Sequence, residues 1–493
     1  MRISLLRRCF LMAMAAVAAA SVGGCERKSQ GVLQVLVIGG QPRLADPQRV
    51  APSQSDSVLL ANVAQGLVRF DAHGQVEPGL AETWNVSDDG LSYIFRLANT
   101  HWSDGRRVTA QQVAQTLKRL IGPPSRNPIK DSFGAVEDVV AMTDRVLEIR
   151  LKQPRPHLLQ LLAQPQMAMV YGGGSGPFTI ERPKASGKNL MLVRDVETPD
   201  EEQPRRDRLE LGSSNAQDAV RMFAAGETDL VLGGTFVDLP FAREASLPRR
   251  ALQFDPASGL FGLAPGRDSK IISDPDVRRL LSQAIDRDAL VAALSVPGLV
   301  PRATVLEPGL DNIPDPAPPA WAAAPIADRR AALAATARRL FAGQEAPTIT
   351  VALPIGPGAD LLFRRLVNDW GAIGLTVRRS AAGEVADLRL IDEVAPSTSA
   401  NWFVRRFRCA QARICDDHLD ELLEAARDTA VLAQRSALFE QAAREIDDQQ
   451  LFIPIAAPIR WSLVSSRIAG FAGNRFAIHT LIDLEQRLDR TGD

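Results

Sequence analysis

The chain has 493 residues, enough for about two or three domains with sizeable cores. Its apolar and charged fractions, 45% and 23%, are those of an ordinary soluble globular protein. A formal net charge of −1 argues against nucleic-acid binding as its business.

Residues 1–24 read as a targeting segment. Arg2, Arg7 and Arg8 form a positive start, and residues 11–22 form an apolar stretch too short for a comfortable transmembrane span. Ser21-Val22-Gly23-Gly24-Cys25 resembles a bacterial lipobox, which implies cleavage before Cys25 and lipidation of that residue. The alternative is ordinary signal-peptidase cleavage near Ala20, with Cys25 incidental. No later stretch is long and apolar enough to cross a bilayer, so the mature chain is expected to be exported and tethered. Cys9 would leave with the signal. Cys409 and Cys415 remain, and an oxidising compartment favours their pairing over two free thiols. A metal site would need more ligands than these two and His418.

Residues 33–38 form an apolar β-type run that ends at Gly39-Gly40, and residues 57–65 look helical. Ser87-Asp88-Asp89-Gly90 is a turn. Residues 91–97 then alternate as a strand, with Leu91, Tyr93, Phe95 and Leu97 on one face. Thr109 and Gln112 form a capping box for a helix carrying Val113, Leu117 and Leu120, stopped at Gly122-Pro123-Pro124. Residues 133–140 read as helix or strand, 144–151 as a strand, and 157–163 as a helix started by His157. Gly172 to Phe178 is a connector. It has neither the Gly two residues after Ser175 that a nucleophile elbow needs, since Pro177 stands there, nor the Lys-Ser/Thr of a P-loop. Residues 216–225 form a helix, Asp229 opens a strand, and residues 260–264 form another. Asp274, Pro275 and Asp276 start a helix whose buried stripe is Val277, Leu280, Leu281, Ala284 and Ile285. Residues 311–325 are an irregular loop and 327–341 a helix. Residues 348–353, 359–373 and 375–379 make a βαβ unit, and 386–391 a further strand. Two helices follow, around Leu419 to Ala426 and around 438–446. Strands at 452–455 and 461–465 close the pattern.

The wording of two blocks is more specific than their elements. GLVRFDAHGQVEPGLAETWNVSDDGLSYIFRL, continued by WSDGRRVTA and LKRL, closely resembles the signature of the extracellular solute-binding proteins of family 5. These are the peptide-, dipeptide- and nickel-binding components of ABC importers. DPDVRRLLSQAIDRDALV resembles the family's second block, and the likeness runs from about Val35 to Phe471. The resemblance implies an α/β, periplasmic-binding-protein-like fold of type II, with two lobes of mixed sheets and flanking helices. The implied division is signal 1–24, lobe I at 25–50, 172–262 and 460–493, an inserted subdomain at 51–171, and lobe II at 263–459. It further implies a monomeric, lipid-anchored periplasmic receptor that captures a peptide or other small solute for an inner-membrane permease. No cofactor, metal, catalysis or nucleic acid is implied. The dipeptide-binding branch has a similar cysteine pair, which implies a Cys409–Cys415 disulfide.

For the ligand cleft, the resemblance points to a lining strand after Arg43-Leu44-Ala45-Asp46-Pro47, here Ala51, Pro52, Ser53 and Gln54. It also points to a second segment whose Asp holds a ligand ammonium. Aligned on Asn401-Trp402, Ala395 falls where that Asp belongs, and Asp392 or Glu393 substitutes only if the loop shifts. Trp402 and Arg405 complete the candidate set. Arg405, Arg406 and Arg408 either favour an acidic ligand or form a solvated basic face. Tyr93 and Tyr171 are the only tyrosines, few for a peptide cleft. The missing carboxylate and scarce Tyr leave an alternative, an envelope scaffold or assembly factor that binds a protein partner. A polar-lined pocket favours a solute, and a filled cleft with an exposed apolar patch favours the scaffold.

Overall fold

The computed structural model describes residues 31–181, 189–196, 205–267, 269–343, 345 and 347–486. The targeting segment and Cys25 lie outside them. The first lobe is built on a seven-stranded sheet in the order Leu252–Phe254, Arg460–Val464, Leu230–Thr235, Val32–Ile38, Arg205–Ser214, Leu190–Val196, Thr179–Glu181. The second is built on a five-stranded sheet in the order Thr376–Ala381, Thr348–Leu353, Leu388–Val394, Gly259–Pro265, Ile453–Ala456. The βαβ unit expected from the sequence is there. Thr348–Leu353 and Thr376–Ala381 pair in parallel, joined through the helix Pro357–Gly371.

An antiparallel four-stranded sheet, Ala81–Val86, Ser92–Leu97, Val146–Leu151 and Val136–Ala141, forms a separate unit. Its core gathers Leu67, Phe95, Leu117, Leu147 and Met169, with Phe70 stacked on Phe476 at 4.6 Å. The preceding helix Gln54–Val63 does not belong to that core. Its Val58, Leu59 and Val63 pack against the seven-stranded sheet. By packing, then, this helix goes with the seven-stranded sheet, while Leu67 and the residues after it enter the core of the four-stranded unit. The stretch read as helix or strand resolves into a short 3-10 turn, Lys130–Phe133, and the strand Val136–Ala141. The box at Thr109 is only half made. Thr109 accepts from the Gln112 amide, but the Gln112 side chain takes the Trp102 indole N–H at 3.1 Å instead of reaching back.

The second signature block has a physical reading. Asp274 caps the helix Pro275–Ala284, and Asp286 caps Arg287–Leu294 by accepting from the Ala289 amide at 2.9 Å. Arg287 is buried and donates to the Pro454 and Ser282 carbonyls at 2.7 and 2.8 Å. It therefore plugs the helix pair onto the strand Ile453–Ala456. Burial pulls its guanidinium down to about 9, still cationic at neutral pH.

The chain crosses between the lobes at residues 255–258 and returns at 457–459. Beside these crossings the lobes share a continuous core, with Phe236 edge-on to Phe261 at 4.9 Å. Gly358 lies so close to the Phe236 carbonyl that a Cβ there would come within 1.9 Å of it. Away from these crossings the facing surfaces leave cavities between them.

Asp447, on the helix Leu432–Gln449, accepts from the Val305 amide at 2.8 Å. Burial pushes its carboxyl up to about 8. The folded chain thus holds a proton that the unfolded chain sheds above about pH 4. The stability this contributes is complete below that pH and is lost as pH rises towards 8. Asp447→Asn keeps the acceptor and removes the ionisation. Its melting temperature is expected to exceed the parent's at about pH 8.5, with the gap shrinking at about pH 5. A gap of one size at both pH values would refute the assignment.

Candidate functional site between the lobes

Two cavities open where the first lobe and the four-stranded unit face the second lobe. The larger, about 770 Å³, has Lys130, Phe133, Arg155, His157 and Leu161 on one wall. Asp311, Trp402, Arg405, Arg435 and Phe439 stand on the other. The smaller, about 300 Å³, is lined by Gln54, Ser57, Gln164, Asp392, Glu393, Ala395, Arg460 and His479, among others.

Local sequence places these groups. The strand Leu388–Val394 runs into the helix Ala400–Val404, whose Trp402, Phe403 and Val404 are buried in the second lobe's core. Arg405 is the next residue and emerges half-buried at the cavity wall. Cys409 and Cys415 are joined by a disulfide, and the Cys409 amide donates to Asp420 Oδ1 at 3.1 Å, pinning the loop to the next helix. On the facing wall, Pro154 and Pro156 bracket Arg155 just before the helix Leu158–Leu162.

The two walls are hydrogen-bonded to each other around the larger cavity. Gln153 Nε2 donates to the Asp428 carbonyl at 2.8 Å, and Arg435 Nη1 to the Pro154 carbonyl at 2.8 Å. The Thr398 amide donates to Gln160 Oε1 at 2.9 Å, and Gln164 Nε2 to the Pro396 carbonyl at 2.7 Å. His157 Nδ1 lies 3.1 Å from Thr398 Oγ1 and 3.3 Å from Asp311 Oδ2. Burial lowers the His157 pKa, and Asp311 opposes that shift. This is a closed arrangement, held across the larger cavity by side-chain hydrogen bonds, several of them to backbone carbonyls.

The candidate residues from the sequence divide three ways. Trp402 and Arg405 line the larger cavity. Asp392, Glu393 and Ala395 line the smaller, but neither carboxylate is free: Asp392 Oδ1 takes Arg460 Nη1 at 2.8 Å, and Glu393 Oε1 takes Arg406 Nη2 at 2.7 Å. Ala395 is buried, its amide donating to the Ser258 carbonyl at 2.8 Å. Ala51, Pro52 and Ser53 line neither cavity. The strand expected at 51–54 is not formed. Ser53 instead caps the helix Gln54–Val63, its Oγ accepting from the Asp56 amide while Asp56 reaches back to the Ser53 amide. Sequence reasoning missed Lys130, Arg155, Arg435 and Arg460. The only local hint was the Pro-Arg-Pro-His run at 154–157.

A family model described as bacterial extracellular solute-binding proteins, family 5 Middle, matches residues 75–389. Among characterised relatives, the chain is 26% identical to the probable di/tripeptide-binding protein 5 of Pseudomonas aeruginosa, over 88% of this chain and 92% of that one. It is 33% identical over 147 residues, 26% of this chain and 27% of the other, to the probable deoxycholate-binding periplasmic protein YgiS of Escherichia coli. Among solved structures, it resembles the murein tripeptide binding protein MppA of E. coli with a TM-score of 0.77 at 17% identity, covering 93% and 99% of the chains. Haemophilus influenzae OppA in complex with RPPGFSPFR gives 0.76 at 16% identity, covering 92% and 99%. The unliganded open form of MppA gives 0.67 at 17% identity, covering 93% and 98%. These structural likenesses are likenesses of fold.

Proposed function

The chain belongs to the bacterial extracellular solute-binding proteins of family 5, non-enzymatic components of ABC importers, and from that premise we propose that it captures a peptide or peptide-like solute in its larger interlobe cavity and hands it to an inner-membrane permease. The observation that carries this reading is the 770 Å³ space between two lobes through which the chain passes at only two short crossings. That volume is in the range of small-molecule sites. Opening the lobes breaks a handful of hydrogen bonds, so ligand contacts made only when closed are enough to shift the balance. The open cavity speaks against the filled cleft that a protein-binding scaffold requires.

The rest of the reading follows the sequence. The chain is exported, cleaved before Cys25 and tethered by lipid there, and it works as a monomer in the periplasm. Lobe I takes 25–50, 172–262 and 460–493, the inserted unit 51–171, and lobe II 263–459. The packing of the helix Gln54–Val63 on the seven-stranded sheet supports a start for the inserted unit nearer Leu67. Native mass spectrometry of the purified protein is expected to show a non-covalent small-molecule adduct that vanishes on denaturation. A bare mass, with no thermal stabilisation by periplasmic extract, would overturn the proposal.

A further inference from the structure

The charge of the larger cavity is lopsided. Lys130, Arg155, Arg405 and Arg435 all line it, and among the described residues none of them makes an ion pair. Lys130 is held by the Pro123 and Ser125 carbonyls, each at 2.7 Å, and Arg435 by the Pro154 and Thr429 carbonyls. Arg155 bonds only its neighbour's carbonyl, at 3.1 Å. The Arg405 guanidinium has no hydrogen-bond partner among the described residues. Two further cations, Arg408 and Arg427, are engaged by Glu424 and Asp428 at 3.5 and 3.2 Å. Against these stand two acids. Asp311 is engaged by His157 and Thr398, and Asp131 is exposed. Burial lowers the pKa of Arg155 to about 10 and lowers that of Arg405, and both stay charged at neutral pH. Asp131 favours the Arg405 charge only from beyond ion-pair distance. A half-buried guanidinium with no carboxylate in contact is costly, and a carboxylate meeting it side-on with two hydrogen bonds offsets that cost.

An ammonium finds the opposite. The two carboxylates of the neighbouring cavity are occupied by Arg460 and Arg406, and position 395 offers a buried methyl group.

We propose that this chain recognises its solute through carboxylates, without needing a free amino group. Arg405 and Arg155 take the anions, and Trp402, Phe133 and Phe439 take an apolar body between them. This rests on the solute-capture reading and narrows it to a class: carboxylate-bearing molecules such as short acidic peptides, the amino terminus free or blocked.

The test uses the mature protein after removal of any bound solute, with four probes: Glu-Phe-Glu, acetyl-Glu-Phe-Glu, Lys-Phe-Lys, and benzylsuccinate as a dicarboxylate without peptide bonds. Calorimetry is expected to give acetyl-Glu-Phe-Glu and Glu-Phe-Glu affinities within about threefold of each other, with Lys-Phe-Lys at least about tenfold weaker. Arg405→Gln and Arg155→Gln are each expected to weaken acetyl-Glu-Phe-Glu by about ten- to hundredfold, with the melting temperature of the empty protein kept. Capture of benzylsuccinate as well supports a general carboxylate receptor, and its exclusion beside captured acetyl-Glu-Phe-Glu supports a peptide source. Preference for Lys-Phe-Lys, loss of binding on acetylation, or retention of none of the probes overturns the inference. A periplasmic extract offered in parallel separates the two claims. A solute retained from it keeps capture standing while the charge preference falls, and an empty protein there removes both.

Discussion

Asp392→Ala is expected to destabilise the protein by about 3 kcal/mol, near the low end for breaking a buried ion pair, and not to act by removing a ligand's anchor. Asp392 lies on a strand of the second lobe, opposite Phe261, while Arg460 opens a strand of the first lobe. Arg460 Nη1 donates to Asp392 Oδ1 at 2.8 Å and Nη2 to the Asp392 carbonyl at 3.1 Å. The side chains are only 14% and 16% exposed, so the two sheets are tied at the cavity floor by charges with little water. Burial raises the Asp392 pKa, and Arg460 pulls it back. Truncation strands the guanidinium, whereas Asp392→Asn keeps an acceptor and is expected to cost less. Urea unfolding of both variants measures the difference, with ligand affinity read where they are folded. An unchanged unfolding midpoint together with abolished capture would return Asp392 to the role of ligand anchor.

That reassignment shows where the sequence was legible and where it stopped. The helix at Pro275–Ala284 could be read because Asp274, Pro275 and the stripe from Val277 to Ile285 are local, and the structure keeps all of them. The parallel pair around Pro357–Gly371 was legible for the same reason. Ser53 carries an equally local signal, a Ser with Asp three residues on, and that capping box prevails over the strand that the family resemblance implies at 51–54. Gln112 failed differently: its expected partner was local, but its actual partner is Trp102, brought near by the fold. Asp392 depends on a residue 68 positions away. The cavity's unpaired cations come from positions 130, 155, 405 and 435, on separate elements, and no spacing rule joins them. What the chain binds is thus written in tertiary juxtaposition, while its family is written in turns and caps.

Glu307→Ala is expected to be at least as damaging, at about 3–5 kcal/mol, because it acts on the crossing itself. Glu307 is 3% exposed and gathers donors from three places. Ser258 Oγ and the Gly259 amide come from the outgoing crossing, Arg302 Nη1 from the second lobe, and Arg475 Nη2, at 3.9 Å, from the C-terminal segment. Gly259 has a φ of +151°, and a Cβ there would meet the Glu393 carbonyl at 2.1 Å, so this stretch of backbone has one way to pass. The carboxylate holds it in that path. Without it, Arg302, whose side chain is 18% exposed, keeps its charge with no counter-ion, and a hydroxyl and an amide lose their acceptor. Glu307→Gln preserves one acceptor oxygen but places an NH2 beside Arg302, and is expected to recover about half the loss. The two variants should also separate stability from closure. The Ala form is expected to unfold at lower urea and, where still folded, to show a larger radius in small-angle scattering, because the crossing no longer fixes how the lobes meet. A loss below about 1 kcal/mol in the Ala variant would mean that water replaces the carboxylate and that the crossing is held by its backbone alone.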